Sequence, residues 1–332
     1  MRFGPTPLDE AEGAILAHSV PLPGGGRLRK GKRLDARDIA ALRALGHDPV
    51  TAARLDPTDH DEDSAALALA RALAPEGSGL SLHAVGTGRV NIHATGPGLA
   101  RIDAARIDAT NATDDAITVA TVPEWHRMEP GAMVATVKII AYGVRDPALT
   151  RACAHAQAAL SLARPVLTHA ALIETSIGAA PGPKGARVTA QRLDRLGVAL
   201  SAEPACAHSE TALAAALAAI PQDRDLILIL TASATSDLHD TAPEALRRAG
   251  GTVTHFGMPV DPGNLLFLGQ LGSRPVIGLP GCARSPALNG ADWVLERVIC
   301  GHPPDAAAIR RMGVGGLLKD IPTRPRPRTR TD

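Results

Sequence analysis

The stretch that most limits how this chain can fold is Leu226 to Leu230, Leu-Ile-Leu-Ile-Leu between Asp225 and Thr231. A continuous apolar run of that length, flanked by polar residues, reads as a strand buried on both faces of a parallel sheet. A loop of small and hydroxylated residues follows, Thr231-Ala-Ser-Ala-Thr-Ser236, and then Asp237, Asp240 and Thr241-Ala-Pro-Glu244. Thr241 as N-cap with Glu244 three residues on forms the pattern of a capping box, and Pro243 falls in the first turn, where its missing N–H costs little. Strand, small-residue loop and helix start together aim free backbone N–H groups into the loop, an arrangement suited to an anion. An ordinary, well-capped strand-to-helix turn would carry the same residues.

The same alternation runs through residues 165 to 302. Strands are expected at 166–173, 198–202, 225–230, 252–254, 265–268 and 275–278, and helices at 186–196, 209–220, 242–249 and 285–300. This pattern predicts an α/β fold, a three-layer sandwich around a mostly parallel sheet, preceded by a smaller α+β N-terminal region. The expected division is a small α+β unit at 1–75, a β-rich α+β domain at 76–160, the α/β domain at 165–302 and a disordered basic tail at 319–332. In the first of these, Leu8 to Leu16 reads as a short amphipathic segment, Arg27 to Leu34 as a basic hairpin, and Leu34 to Leu45 as a helix ending at Gly46. Asp59, His60, Asp61 and Asp63 precede a helix over 64–73, where carboxylates favour the helix dipole without a metal. Between 78 and 144, short β-prone runs alternate with turns, Gly86-Thr-Gly88 closing a hairpin with His83 and His93 on its arms. Asp103 to Ala112 reads as a short helix, and another is expected over 147–162.

Composition removes several functions. The net charge is +1 and aromatic residues make up 2% of the chain, so neither a basic surface nor a stacking platform points to nucleic acid. Cys153, Cys206, Cys282 and Cys300 lack CxxC spacing and read as reduced thiols. With no apolar run near 18 residues and no charged-then-apolar leader, the expectation is a cytoplasmic protein without a membrane partner.

Ligands of open α/β sheets bind at the carboxyl ends of the strands. Three loops stand there: Thr231–Asp240, Gly257–Asn264 and Gly278–Pro286. In the third, Pro280-Gly281 makes a turn that lets backbone approach a ligand, Arg284 adds a fixed charge, and Ser285 with Pro286 is the expected start of a helix. A fourth Gly-rich loop, 178–185 with Lys184, follows the first strand. Loops of this kind converging in one module suit a phosphorylated ligand.

Residues 165–302 resemble the molybdopterin-binding module (MoaB/Mog-like) shared by molybdopterin adenylyltransferases and molybdopterin molybdenumtransferases. Thr231 to Glu244 is similar to that family's Thr-Gly-Gly-Thr-Gly loop leading to Arg-Asp-x-Thr-Pro-Glu, with Asp240, Thr241, Pro243 and Glu244 matching and His239 in place of Arg. Met258-Pro-Val-Asp-Pro-Gly-Asn264 resembles Met-x-x-x-Pro-Gly-Lys, and Leu279-Pro-Gly-Cys-Ala-Arg-Ser285 resembles Leu-Pro-Gly-Asn-Pro-x-Ser. Residues 27–56 loosely resemble the part that precedes this module in the molybdenumtransferases. The likeness extends over nearly the whole chain to the molybdopterin-binding half of bacterial fusions whose molybdenum cofactor nucleotidyltransferase domain is absent here. It implies a ligand, molybdopterin or its adenylylated form, held by Thr231, Ser233, Thr235, Asp237, Asp240, Pro262, Gly263, Asn264, Pro280, Gly281, Arg284 and Ser285. Asp240 is the candidate catalytic and metal-binding residue, since a carboxylate beside a phosphate calls for a bridging Mg²⁺. Other cofactor-maturation proteins are the implied partners, and the likeness leaves room for a homo-oligomer.

Three departures bear on activity. The Gly-Gly-Thr-Gly loop has become Ala232-Ser-Ala-Thr235, Asn264 stands for the usual Lys, and the Thr-Gly-Asp-Glu segment after the first strand is Thr175-Ser-Ile-Gly178, without its carboxylates. The leading expectation is therefore a molybdopterin-binding protein of molybdenum cofactor biosynthesis. The alternatives are a catalytically silent scaffold on the same fold and an active molybdenumtransferase or adenylyltransferase.

Overall fold

In a computed structural model describing residues 1–261 and 263–318, Leu226–Leu230 is a strand with every residue buried. The expected tail at 319–332 lies outside the described residues. The described residues form two compact units, Met1–Gly96 with Ala100–Leu162, and Pro97–Leu99 with those from Ala163 on. The stretches 1–75 and 76–160 thus lie largely in one unit.

In the second unit, one sheet has the strand order Ala199–Ala202, His169–Ser176, Leu226–Leu230, Arg274–Leu279, Asn264–Leu271, Thr252–Met258, with Cys206–Ala207 also pairing with His169–Ser176. The pairings around His169–Ser176 and Leu226–Leu230 are parallel, whereas Asn264–Leu271 runs antiparallel to both of its neighbours. The sheet is therefore mixed. The cause is local: Leu271 pairs with Arg274 across Gly272-Ser273, a two-residue hairpin loop in which Gly272 adopts φ +63°, a backbone that matches strand twist only with φ positive.

Strand residues alternate between faces. Ile227 and Ile229 join Ala171, Ile173, Phe267 and Val276 in a core covered by Leu213 and Leu217 of the helix Glu210–Ala219 and by Ala245 and Leu246 of the helix Thr241–Arg248. Leu226, Leu228 and Leu230 face the other way. There the helix Lys184–Asp194 comes so close that a Cβ on Gly185 would lie 2.7 Å from a Leu230 methyl.

Two helix starts differ from expectation. Thr241 is not the cap: Asp240 is, accepting the Thr241 N–H, because its anionic oxygen is the better acceptor at the positive end of the dipole. The helix expected over 285–300 begins at Gly290, not Ser285, with Asn289 as N-cap and Asp292 closing a capping box. Ser285 instead ends a single 3-10 turn, Gly281–Arg284, in extended backbone, which is what a residue before proline prefers.

In the first unit, Arg2–Thr6, Val50–Arg54 and Ile15–Leu16 form a small sheet beside the helix Ala36–Ala44, whose cap is a box between Asp35 and Asp38. The expected amphipathic segment at 8–16 is a 3-10 turn, Leu8–Glu10, followed by that short strand. The basic stretch 27–34 does not close a hairpin on itself: Arg27–Leu28 pairs back with Val20–Pro21, and Arg33 bridges to Ile15. Four strands, Ile117–Thr121, Met133–Ile139, Arg89–Ala94 and Leu80–Gly86, form an antiparallel sheet packed on the helix Glu62–Leu73 through Ala66, Leu69, Leu73, Ile92 and Val137. A three-stranded sheet places Gly98–Ile102 between Arg127–Met128 and Leu160–Ala163. The helix expected over 147–162 is Asp146–Ala156; a turn at 157–159 then leads into the last of these strands.

Candidate functional site

Register brings the sequence motifs to one end of the mixed sheet. Glu174 pairs with Leu230, and Leu230 pairs with Leu279, so the loops after all three strands leave from adjacent rows. Asn264 opens the antiparallel neighbour and pairs with Met258, which sets the 258–264 turn at the same end.

Arg284 ties two of these loops together. Its Nη2 donates to the Thr231 carbonyl at 2.9 Å. Beneath it, Glu174 is buried, its Oε1 lacks a hydrogen-bond partner, and a Cβ on Gly185 would come within 2.3 Å of that oxygen. Burial pushes the Glu174 carboxyl above the usual carboxylate range, and the positive charge of Arg284 opposes that rise. The neighbouring Thr175 hydroxyl accepts the Ala232 N–H at 2.8 Å and shares a 2.9 Å hydrogen bond with Nδ1 of His208. The root of the Thr231 loop is thus fixed from the first strand.

The rest of that loop is held locally. Asp240 accepts the Ser236 N–H at 2.8 Å, the Ser236 hydroxyl at 3.2 Å and the Thr241 N–H at 2.6 Å. Partial burial works against its charge, but these donors together hold its carboxyl below the usual range. Asp237 is exposed and accepts the His239 N–H at 2.8 Å. Ser233 is exposed and Thr235 buried. Glu244 does not reach back to the cap: it binds His239 at 2.8 Å and Arg247 at 2.6 Å. The His239 contact first, and then Arg247, keep its carboxyl below the usual range.

Pro262 is outside the described residues. Gly263 is exposed; Asn264 is buried, its Oδ1 accepting the Leu266 N–H at 3.1 Å while its Nδ2 has no partner. Pro280 is buried, and Gly281 and Ser285 are exposed. Arg284 and Thr231 are therefore in direct contact, while Asp237, Asp240 and Asn264 make their hydrogen bonds within their own loops.

One residue that organises this end is invisible to motif reading. Arg192, buried in the helix Lys184–Asp194, pairs with buried Asp292 and donates to the carbonyls of Ala283 at 2.7 Å, Ser285 at 2.6 Å and Ala287 at 3.2 Å. Those carbonyls are available because residues 285–288 are not helical, so Arg192 and the displaced helix start are two sides of one arrangement. The signal available in sequence was an arginine at helical spacing from Val188 and Thr189 on the buried face. For Glu174 it was a lone charge closing the apolar run Ala170–Ile173.

Asp240 is the one carboxylate at this sheet end that the resemblance assigns to a metal. Both Asp240 oxygens already take local donors, and among the described residues no group of three His, Cys, Asp or Glu side chains is placed to hold a metal ion. Among them, too, no helix is long and apolar enough to cross a membrane.

Residues 5–54 match a family model described as a domain of unknown function, DUF8806. No curated protein matches the chain significantly. Among solved structures, the chain is similar to the molybdopterin biosynthesis MoeA protein from Pyrococcus horikosii, at 13% identity and TM-score 0.32, with 91% of this chain and 75% of that one covered. A molybdenum cofactor biosynthesis protein from Pyrococcus furiosus gives 11% identity and TM-score 0.27, with 92% and 67% covered. Molybdenum cofactor biosynthesis protein B gives 11% identity and TM-score 0.26, with 40% and 88% covered.

Proposed function

We propose that residues 165–302 form a module that binds a phosphorylated pterin of the molybdopterin type, or its adenylylated form, and act in molybdenum cofactor biosynthesis. The observation that carries this reading is the register: motif loops far apart in sequence leave adjacent rows of one sheet, with Arg284 between them. In this reading the helices flank the parallel part of the sheet as a three-layer sandwich. The phosphate lies against Arg284, whose guanidinium has N–H groups beyond the one spent on Thr231. The Pro280-Gly281 turn offers backbone close by, and the pterin lies across the Thr231–Asp240 loop.

The departures in sequence favour holding the ligand over transforming it. Ala232 and Ser233 replace glycines, Asn264 replaces a charge, and Asp240 is taken up in capping its helix. Each such loss in a transfer site costs about an order of magnitude or more in rate. We therefore read the module as one that binds the precursor and presents it to a maturation partner.

Arg284→Ala should weaken molybdopterin binding by about 1.5–3 kcal/mol, the range for a charge-assisted hydrogen bond. Titration of wild type and variant with molybdopterin under anaerobic conditions measures this. Equal affinities would remove Arg284 from the site. Robust molybdate-dependent reconstitution of an apo-molybdoenzyme over many turnovers would replace the binding reading with transferase activity.

A further inference from the structure

A cavity of about 450 Å³ opens in the first unit, lined by Arg101, Asp103, Glu124, Trp125, Ala158 and Ser161 among others. Its size is that of a small-molecule site. Two turns frame it, one on each side of the strand Gly98–Ile102. In the first, His126 donates its N–H to the Pro123 carbonyl at 3.1 Å and Trp125 stands at the third position with φ +62°. In the second, Ala159 donates to the Ala156 carbonyl at 3.0 Å and Ala158 stands at the third position with φ +53°. Both are places for glycine, and an aromatic there is a true outlier. Of the four non-glycine residues with positive φ among those described, two line this one cavity. Strain of this kind persists where it sets a side chain for use.

What it sets is an indole. Trp125 is half-buried beside the strand, its backbone N–H donating to the Ala100 carbonyl at 2.8 Å, and the Arg101 guanidinium lies 5.9 Å from its ring centre. A guanidinium beside a ring keeps N–H groups for an oxyanion. The helix Ala104–Asn111 starts at the same cavity; Asp103 caps the Arg106 N–H, and its charge is countered by Arg106 at 3.2 Å. The two N–H groups of Ala104 and Ala105 precede the capped one. The exposed Glu124, which lines the same cavity, carries a carboxylate that accepts paired N–H donors.

We propose that this cavity binds a phosphorylated heteroaromatic compound with an amino-amide edge, of about the size of a guanine nucleotide. The ring stacks on Trp125, the phosphate meets Arg101 and the helix start, and Glu124 takes the ring N–H groups. The site stands apart from the pterin reading of the second unit.

The test titrates the full chain with guanosine 5′-monophosphate, guanosine and inorganic phosphate, by calorimetry and tryptophan fluorescence. Saturable binding of the nucleotide, tighter than either part alone, is expected. Arg101→Ala should weaken it at least about tenfold. Trp125→Gly relaxes the backbone while removing the ring, so it should abolish binding with the thermal midpoint unchanged or raised; Trp125→Phe should retain part of the affinity. No saturable binding of the nucleotide, phosphate binding as tight as nucleotide binding, or affinity unchanged in both Arg101→Ala and Trp125→Gly would overturn the proposal.

Discussion

At the scale of single residues, Glu174 carries the clearest pH signature. Its carboxyl is buried without a partner for Oε1, and burial raises its pKa while Arg284 opposes the rise. A carboxyl raised on folding stabilises the protein fully below its unfolded pKa, about 4.3, and that stability is lost as pH climbs through the folded value. Glu174→Gln should therefore be more stable than wild type near neutral pH and show a flatter dependence on pH above about 4.3. Urea denaturation from pH 4 upward checks this. A variant that tracks the wild-type slope would mean that Glu174 is not the titrating group. Part of this was legible in sequence, since a charge at the end of an apolar strand run is conspicuous. What was not legible is the contact with Gly185 and Arg284, which lie 11 and 110 positions away, because only the register of the parallel strands brings them together.

At the scale of elements, propensity located the strands and helices but not the ends that matter. Ser285-Pro286 has every mark of a helix start, as does Asn289 with Asp292, and the sequence alone does not rank them. The decision is tertiary: Arg192 needs the carbonyls of Ala283, Ser285 and Ala287, and Asp292 pairs with Arg192 as well as closing the cap. The consequence is measurable. Asn289→Ala should cost about 1 kcal/mol, the usual worth of an N-cap, whereas Ser285→Ala should stay within about 0.5 kcal/mol of wild type, as exposed sites do. Chemical denaturation of the two variants separates them, and the reverse order would restore the helix to Ser285. Asp240 shows the same competition on a smaller scale. The acidic residue next to the expected Thr241 cap takes the cap itself, so its carboxylate accepts local N–H and hydroxyl donors. The antiparallel half of the sheet was likewise written in Gly272-Ser273, a two-residue loop too short for a crossover connection.

At the scale of the molecule, the two units pose different questions. The second presents several loops at one sheet end with Arg284 bonded to Thr231; the first presents a cavity built on strained turns. The α/β alternation and the convergence of loops were readable from sequence, because strand runs, turn residues and caps are local. The cavity was not, because the turn at Trp125 breaks the rule by which turns are recognised: it holds a tryptophan where glycine is expected. Pterin analysis of the purified protein tests the ligand of the second unit most directly. After anaerobic incubation with molybdopterin and gel filtration, iodine oxidation of the protein fraction should release a fluorescent phosphorylated pterin in stoichiometric amount, with the yield falling sharply in Arg284→Ala. A protein fraction without pterin, or a yield the variant leaves unchanged, would contradict it.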